Sequence, residues 1–371
     1  MHVILRDDFC SVSKEQIAAF SHKIEALLES HFSAKILFCI KPAQIEFLRK
    51  NCEFGARSKR ILSIIERKYQ GYFASLRLSS GKVEIHNTAP RTPMENVVQV
   101  SIEDIDWIIN SQPALFVENA LSDGGFYRSL LSILVSTEFG SEQFLSLLPY
   151  HGGGSTLGPL IETEFGKLAK GICLCDRDKV SDAPPFRSGS TAGSAYSSLR
   201  KLGIILEDGS GSDTNPFFRF ATTCGWSLEN YMGPHLVEFC LQHCEDGKSY
   251  HSALCDVFPN FPNLSSDEFF EWLSINFRSS TQPKEEIVSQ FPERFAGNSI
   301  TDDRAEQLSA LTLPADCLKN AIIFLRGGRY SSTARKLVEK DFSEYLSMTS
   351  LPKIVRSAQC ALAGDRRIQF S

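Results

Sequence analysis

The sequence predicts an α/β protein: a parallel-sheet core, an N-terminal α+β module and a mainly helical C-terminal region. Three observations predict it. Between about residues 113 and 232, short apolar runs alternate with helical patterns, the order that a parallel sheet produces. Two of those runs, Ala114-Leu115-Phe116-Val117 and Gly171-Ile172-Cys173-Leu174-Cys175, end on acidic residues, Glu118 and Asp176. Beyond about residue 233 the apolar residues recur mainly at helical spacing.

Length and composition bound the class. At 371 residues the chain divides into two or three domains, read here as 1–110, 111–232 and 233–371. Apolar residues at 42% and charged residues at 22% describe a soluble globular protein, and 27 Phe point to a well-packed interior. A net charge of −5 gives no global basic signature for nucleic acid, although a local basic groove beside an acidic site is compatible with it. Met1–Leu5 is followed at once by Arg6, Asp7 and Asp8, so no apolar signal region is formed. No apolar run approaches the ~18–20 residues of a membrane helix. With 11 scattered cysteines, the expectation is a reduced, cytoplasmic protein with no membrane partner.

In the N-terminal module, a strand over 3–5 precedes a helix opened by Ser13, with Gln16 completing a capping box. Ile17, Phe20, Ile24, Leu27 and Leu28 repeat at helical spacing on it. Residues 34–40 read as a buried strand and 45–69 as mainly helical. Residues 72–78 and 82–85, separated by Ser79-Ser80-Gly81, read as a hairpin. The proline-containing stretch 87–94 reads as a linker.

In the second region, strand 114–118 leads into a helix over 125–137, with Phe126, Leu130, Leu131 and Leu134 on one face. Residues 144–150 read as a strand, His151–Ser155 as a glycine turn, 160–168 as a helix, and 171–175 as the strand that delivers Asp176. A polar Ser/Gly/Pro-rich loop, 179–194, follows directly, and loops that long in a compact domain are usually functional or mobile.

Acidic side chains at the carboxyl ends of neighbouring parallel strands converge on one crevice. Carboxylates forced together need a counter-charge, and a hard cation such as Mg²⁺ is the usual one. Asp176 and Asp178 flank Arg177 and share a face by strand alternation. The turn His151-Gly152-Gly153-Gly154-Ser155 reads either as a tight strand-to-helix connection or as a phosphate contact through Gly153, Gly154 and Ser155. Each piece alone is common. The order strand-Glu, helix, glycine turn, helix, strand-Asp-x-Asp is much rarer.

That composite resembles the Toprim family of metal-dependent nucleases, topoisomerases and primases, over about 120 residues from Leu115 to Tyr231. The matching elements are Leu115-Phe116-Val117-Glu118 with Ser122-Asp123, the turn at His151–Ser155, and Asp176 with Asp178. Trp226-Ser227-Leu228-Glu229-Asn230-Tyr231 is similar to the "ENY" element of the overcoming-lysogenization-defect (OLD) nucleases and related antiphage proteins. Asn119 stands where the family has Gly, and the spacing to Asp123 is one residue longer than the common form. Glu118, Asp176 and Asp178 therefore carry the match more directly than Asp123. The resemblance implies a Toprim-like sheet core and an endonuclease cutting DNA or RNA as an antiphage effector. It implies Mg²⁺ or Mn²⁺ held by Glu118, Asp123, Asp176, Asp178 and Glu229. Glu118 is then a ligand or the proton-transfer group near the leaving oxygen.

The remaining signals have plainer readings. Arg57-Ser58-Lys59-Arg60 with Arg67-Lys68, and Arg326-Gly327-Gly328-Arg329 with Arg335-Lys336, read first as solvated faces and second as nucleic-acid or partner surfaces. Lys167, Lys170, Lys179 and Arg187 read likewise. Cys240, Cys244, His251 and Cys255 have i,i+4 spacing that a helical hairpin could close on zinc, but burial is the better account. No P-loop motif occurs, so the expectation is a standalone nuclease or one served by a separate ATPase or regulatory subunit, with homo-oligomerisation open. The alternatives are a degenerate Toprim-like interaction module with little catalysis, or another Mg²⁺-dependent phosphotransfer enzyme. Asp-x-Asp phosphatases carry that motif on their first strand, whereas here it falls on the third.

Overall fold

The computed structural model describes residues 1–33, 35–76, 82–87, 97–110, 112–139, 143–145, 147–153, 156–164, 170–176, 186, 189–207, 217–223, 225, 227–278, 284–285, 287, 300–362 and 364–365. Two four-stranded parallel sheets organise the chain. The first has the order β2-β1-β3-β4, with β1 His2–Leu5, β2 Leu37–Cys39, β3 Lys82–His86 and β4 Val97–Ser101. The central strand β1 is buried at every position, as a strand covered on both faces must be. Ser13 and Gln16 form the expected reciprocal capping box. The helix they open is two helices, α1 Lys14–Ala19 and α2 Ser21–Phe32, divided at Phe20. Helices α3 Pro42–Asn51 and α4 Ala56–Leu76 follow.

Here the structure departs from the sequence reading. Tyr72 to Leu76 belongs to α4, not to a hairpin, and β3 pairs parallel with β1 instead. Ile61, Leu62, Ile65 and Tyr72 are all buried on one helical face, so continuing that face outweighs the local strand preference of Tyr-Phe. The N-terminal module is thus α/β with an all-parallel sheet. The proposed linker lies largely outside the described residues. Arg57 of the basic cluster pairs with Glu29 at 2.7 Å and covers the Phe32 ring.

After α5 Asp106–Asn110 comes the second sheet, of order β7-β5-β8-β9. Its strands are β5 Ala114–Val117, β7 Leu148–His151, β8 Gly171–Cys175 and β9 Phe218–Thr222. The segment expected as one strand splits into β6 Gln143–Phe144 and β7, and β6 pairs antiparallel with β10 Gly364–Asp365. Alternate residues divide between two cores. Leu115, Val117, Ile172 and Leu174 face the large one, while Phe116, Cys173 and Cys175 face the other beneath α7 Leu157–Glu164 and α8 Thr191–Lys201. Against the large-core face lies α6, Asp123–Phe139.

The C-terminal region is mainly helical, as read: α9 Pro234–Leu241, α10 Gly247–Val257, α11 Ser266–Leu273, α12 Asp302–Ser309, α13 Ala315–Arg326, α14 Ser331–Glu344 and α15 Leu351–Leu362. Helices α13, α14 and α15 pack on α6 and so brace the sheet edge from behind. Gly328, at φ 91°, turns the chain between α13 and α14, a joint that glycine makes without strain. Among the described residues no helix is long and apolar enough to cross a membrane.

Candidate functional site

Glu118 follows the last residue of β5, and Asp176 follows the last residue of β8. The two strands are adjacent and parallel, in the register Phe116↔Cys173, so both carboxylates emerge at one carboxyl edge. Asp123 begins α6 and Glu229 lies in the 3-10 turn Leu228–Met232. Glu118, Asp123 and Glu229 line one cleft of about 390 Å³, walled also by His151, Gly153 and Leu318. Asp178, Gly154 and Ser155 lie outside the described residues. Gly153 is on the cleft wall, and its carbonyl accepts the Thr156 hydroxyl at 2.8 Å.

Side-chain hydrogen bonds of Asn119 shape the turn between β5 and α6. The Asn119 side-chain oxygen accepts the Leu121 and Ser122 amides at 2.9 and 3.2 Å, an Asx turn. The Asn119 amide in turn donates to Asp123 at 3.0 Å, which fixes that carboxylate at the helix start.

The element Glu229-Asn230-Tyr231 divides its labour. Glu229 accepts the Ser227 hydroxyl at 2.7 Å. Asn230, fully buried, accepts the Ser227 amide and donates to the carbonyls of Trp272 and Ile275 at 2.8 and 3.1 Å. Tyr231 packs edge-on against Tyr127 of α6. Asn230 thereby ties the turn after α11 to the sheet edge. Asn230→Ala is expected to cost about 2–3 kcal/mol, because it leaves buried backbone groups without partners, and urea unfolding reads that loss directly.

What that turn delivers is Arg278, which the sequence reading did not single out. Its Nη1 donates to Asp176 Oδ2 at 2.8 Å and its Nε to Glu229 Oε1 at 2.7 Å, with Nη2 3.9 Å from Asp123 Oδ1. One guanidinium thus joins three of the predicted site carboxylates. Burial pushes the Asp176 carboxyl well above its usual range; Arg278 opposes this, and Glu118, Asp123 and Glu229 reinforce it. Burial also raises Asp123, against the Ser122 hydroxyl and Arg278. Burial alone would weaken the Arg278 charge, but Asp176 and Glu229 outweigh it and hold the guanidinium above its ordinary value. The Tyr127 hydroxyl is buried in the field of Asp176 and Asp123, with no hydrogen-bond partner among the described residues.

Among the described residues, four carboxyls stand around one guanidinium. Their hard oxygens are donors of the kind that Mg²⁺ takes, so the set fits a divalent cation in the chemistry of its donors. Its present arrangement is the one that a guanidinium satisfies. Among the described residues, no three side chains of the metal-binding types stand together as a metal-holding group.

The other candidates separate from this site. Lys170 is fully buried and donates to the Lys35 carbonyl at 2.8 Å, so it is not a phosphate contact. Lys167, Lys179 and Arg187 lie outside the described residues. Cys255 contacts His251 within α10 at 3.6 Å, while Cys244, just past the end of α9, donates to the Cys240 carbonyl and accepts from Asn320 of α13 at 3.5 Å. Cys240 is buried, whereas Cys244 and Cys255 are only partly so. Cys173 and Cys175 pack side by side in the core. A larger cavity of about 690 Å³ borders the first sheet, but its Arg6 and Lys82 face Glu84, and its Lys41 pairs with Asp7.

Fold and site together define an α/β protein with an acidic crevice at the carboxyl edge of a parallel sheet. No family model matches the chain, and no curated protein matches it. Among solved structures it is similar to the C-terminal region of the Burkholderia pseudomallei OLD protein, at 16% identity and a TM-score of 0.24, over 58% of this chain and 97% of that one. A likeness at that TM-score says nothing about the site, whose reading rests on its own geometry.

Proposed function

We propose that this chain is a Mg²⁺- or Mn²⁺-dependent endonuclease of the Toprim type, cutting phosphodiester bonds of DNA or RNA as an effector of antiphage defence. The observation that carries the reading is that Glu118, Asp123 and Glu229 line one cleft, with Asp176, from the strand adjacent to that of Glu118, joined to it through Arg278. The defence assignment rests on the likeness of Glu229-Asn230-Tyr231 to the OLD-type element. Asp123, Asp176 and Glu229 would hold the cation, with Asp178 following Asp176 by two residues in the sequence. A bound divalent cation supplies neutralisation of charge on the attacking and leaving oxygens. Glu118, only partly buried at the cleft, would hold or move a proton at its carboxylate. Gly153, on the cleft wall near the Glu118 backbone, would offer its own backbone to the substrate.

Purified protein incubated with plasmid DNA and with bulk tRNA is expected to cleave one of them with Mg²⁺ or Mn²⁺ and neither with EDTA. Glu118→Ala and Asp176→Ala are each expected to lower the rate by about 100-fold or more. Cleavage unchanged in both variants would remove these residues from the mechanism. A second reading, a Toprim-like interaction module without catalysis, is favoured by the Arg278 contacts, since a guanidinium already serves three of the carboxylates. Absence of cleavage under every condition would select it.

A further inference from the structure

Arg278 stands where the proposed function needs a metal, and its placement is constructed, not incidental. The Phe277 carbonyl accepts the Leu313 amide at 3.1 Å, and Asn230 holds the turn at Trp272 and Ile275, so the backbone reaching Arg278 is fixed. The side chain itself is 41% exposed, which leaves it a path to solvent without movement of that backbone. Its two short contacts use Asp176 Oδ2 and Glu229 Oε1, oxygens of the kind that would hold a Mg²⁺ ion. A dication held there and the guanidinium cannot share those oxygens, because like charges at contact distance repel strongly in a half-buried site. The buried Tyr127 hydroxyl, which has no hydrogen-bond partner among the described residues, is an independent sign that the arrangement leaves a polar group unserved.

We infer that Arg278 is a built-in competitor for the divalent cation: it closes the carboxylate site in the metal-free protein and swings outward when the metal binds. This rests on the metal-dependent reading above, and it adds a control on that site. The acid cluster is held together by the arginine during folding and in the resting state. Metal loading then carries the added cost of withdrawing the arginine, so the resting protein binds metal weakly. Anything that draws the guanidinium away, a nucleic-acid phosphate included, favours loading.

The test is Mn²⁺ binding to the full chain, followed by calorimetry and by the electron paramagnetic resonance of free Mn²⁺, for wild type, Arg278→Gln and Asp176→Asn. The expected result is binding at least about tenfold tighter in Arg278→Gln than in wild type, and none in Asp176→Asn. Equal or weaker binding in Arg278→Gln, with wild type binding and Asp176→Asn not, would overturn the competition and leave the metal site standing. Absence of Mn²⁺ binding in both wild type and Arg278→Gln, with the fold intact by circular dichroism, would overturn both. Should Arg278→Gln fail to fold, the wild type decides. Modification of Arg278 by phenylglyoxal, read by mass spectrometry, is expected to rise severalfold on adding Mn²⁺, and a rate indifferent to Mn²⁺ overturns the proposal.

Discussion

Asp341→Ala is expected to lower the unfolding free energy by about 3–5 kcal/mol. Asp341 is fully buried on α14 and accepts three donors: the His235 and Leu236 amides at 3.0 and 2.9 Å, and His235 Nδ1 at 2.8 Å. The two amides belong to the first turn of α9, where no intrahelical acceptor exists. Removing the carboxylate orphans them and strands the imidazole. Burial alone would push His235 down, but the Asp341 carboxylate outweighs it and raises the imidazole above its ordinary 6.5. That contribution is fully present below 6.5 and lost as pH rises through the raised folded value, so Asp341→Asn should flatten the stability profile there. Denaturant unfolding of both variants across that window reads the effect, and a profile parallel to wild type would count against the pair.

The same contact explains Gly233, which sits at φ 71° between the Glu229 turn and α9. A Cβ there would lie 2.4 Å from Asp341 Cγ. Gly233→Ala therefore meets both backbone strain and collision, and the Asp341 anchor sets where the chain bearing Glu229 leaves the site.

Much of this site was legible because its chemistry sits at strand ends. An apolar run buried on both faces must stop where the chain reaches solvent, and the residue just past that point is the one with access to a crevice. Glu118 and Asp176 were readable for that reason, with β5 and β8 as the runs before them. The turn at Leu228–Met232 was visible only through its likeness to a known element, because no periodicity marks it. Arg278 gave no local signal. It lies 102 residues from Asp176 and 49 from Glu229, in an irregular turn set by Asn230. The one available clue was electrostatic: a cluster of carboxylates requires a cation, and that cation need not be a metal.

The first sheet shows the opposite failure. Lys82 to Ile85 is legible as a strand but its partner is not, because hairpin pairing is the local choice and β1–β3 pairing spans some eighty residues of chain. The helical face of α4, which reaches Tyr72, decided the matter through burial, and no short window contains that information.

Lys170 carries the largest stability effect expected of any single group here. It precedes β8, the strand that delivers Asp176, and its ammonium reaches the Lys35 carbonyl of the N-terminal module. Burial, with Lys35 nearby adding to it, pushes its pKa from 10.5 down to about 7. The unfolded chain therefore holds this proton more tightly than the folded one between those values, and stability rises with pH across that window. The full gap corresponds to about 5 kcal/mol, most of it regained between about pH 7 and pH 10. Lys170→Met removes the titrating group at the cost of one hydrogen bond to a carbonyl, worth about 1 kcal/mol. The variant is expected to be the more stable at about pH 7, and its advantage over wild type should shrink by about 3 kcal/mol by about pH 10. Taking the difference between the two proteins cancels the titration of every other cysteine, tyrosine and lysine. Parallel curves would mean that the ammonium is better solvated than its burial implies. A converging pair would identify Lys170 as a pH-dependent strut between the N-terminal sheet and the strand on which the proposed metal site is built.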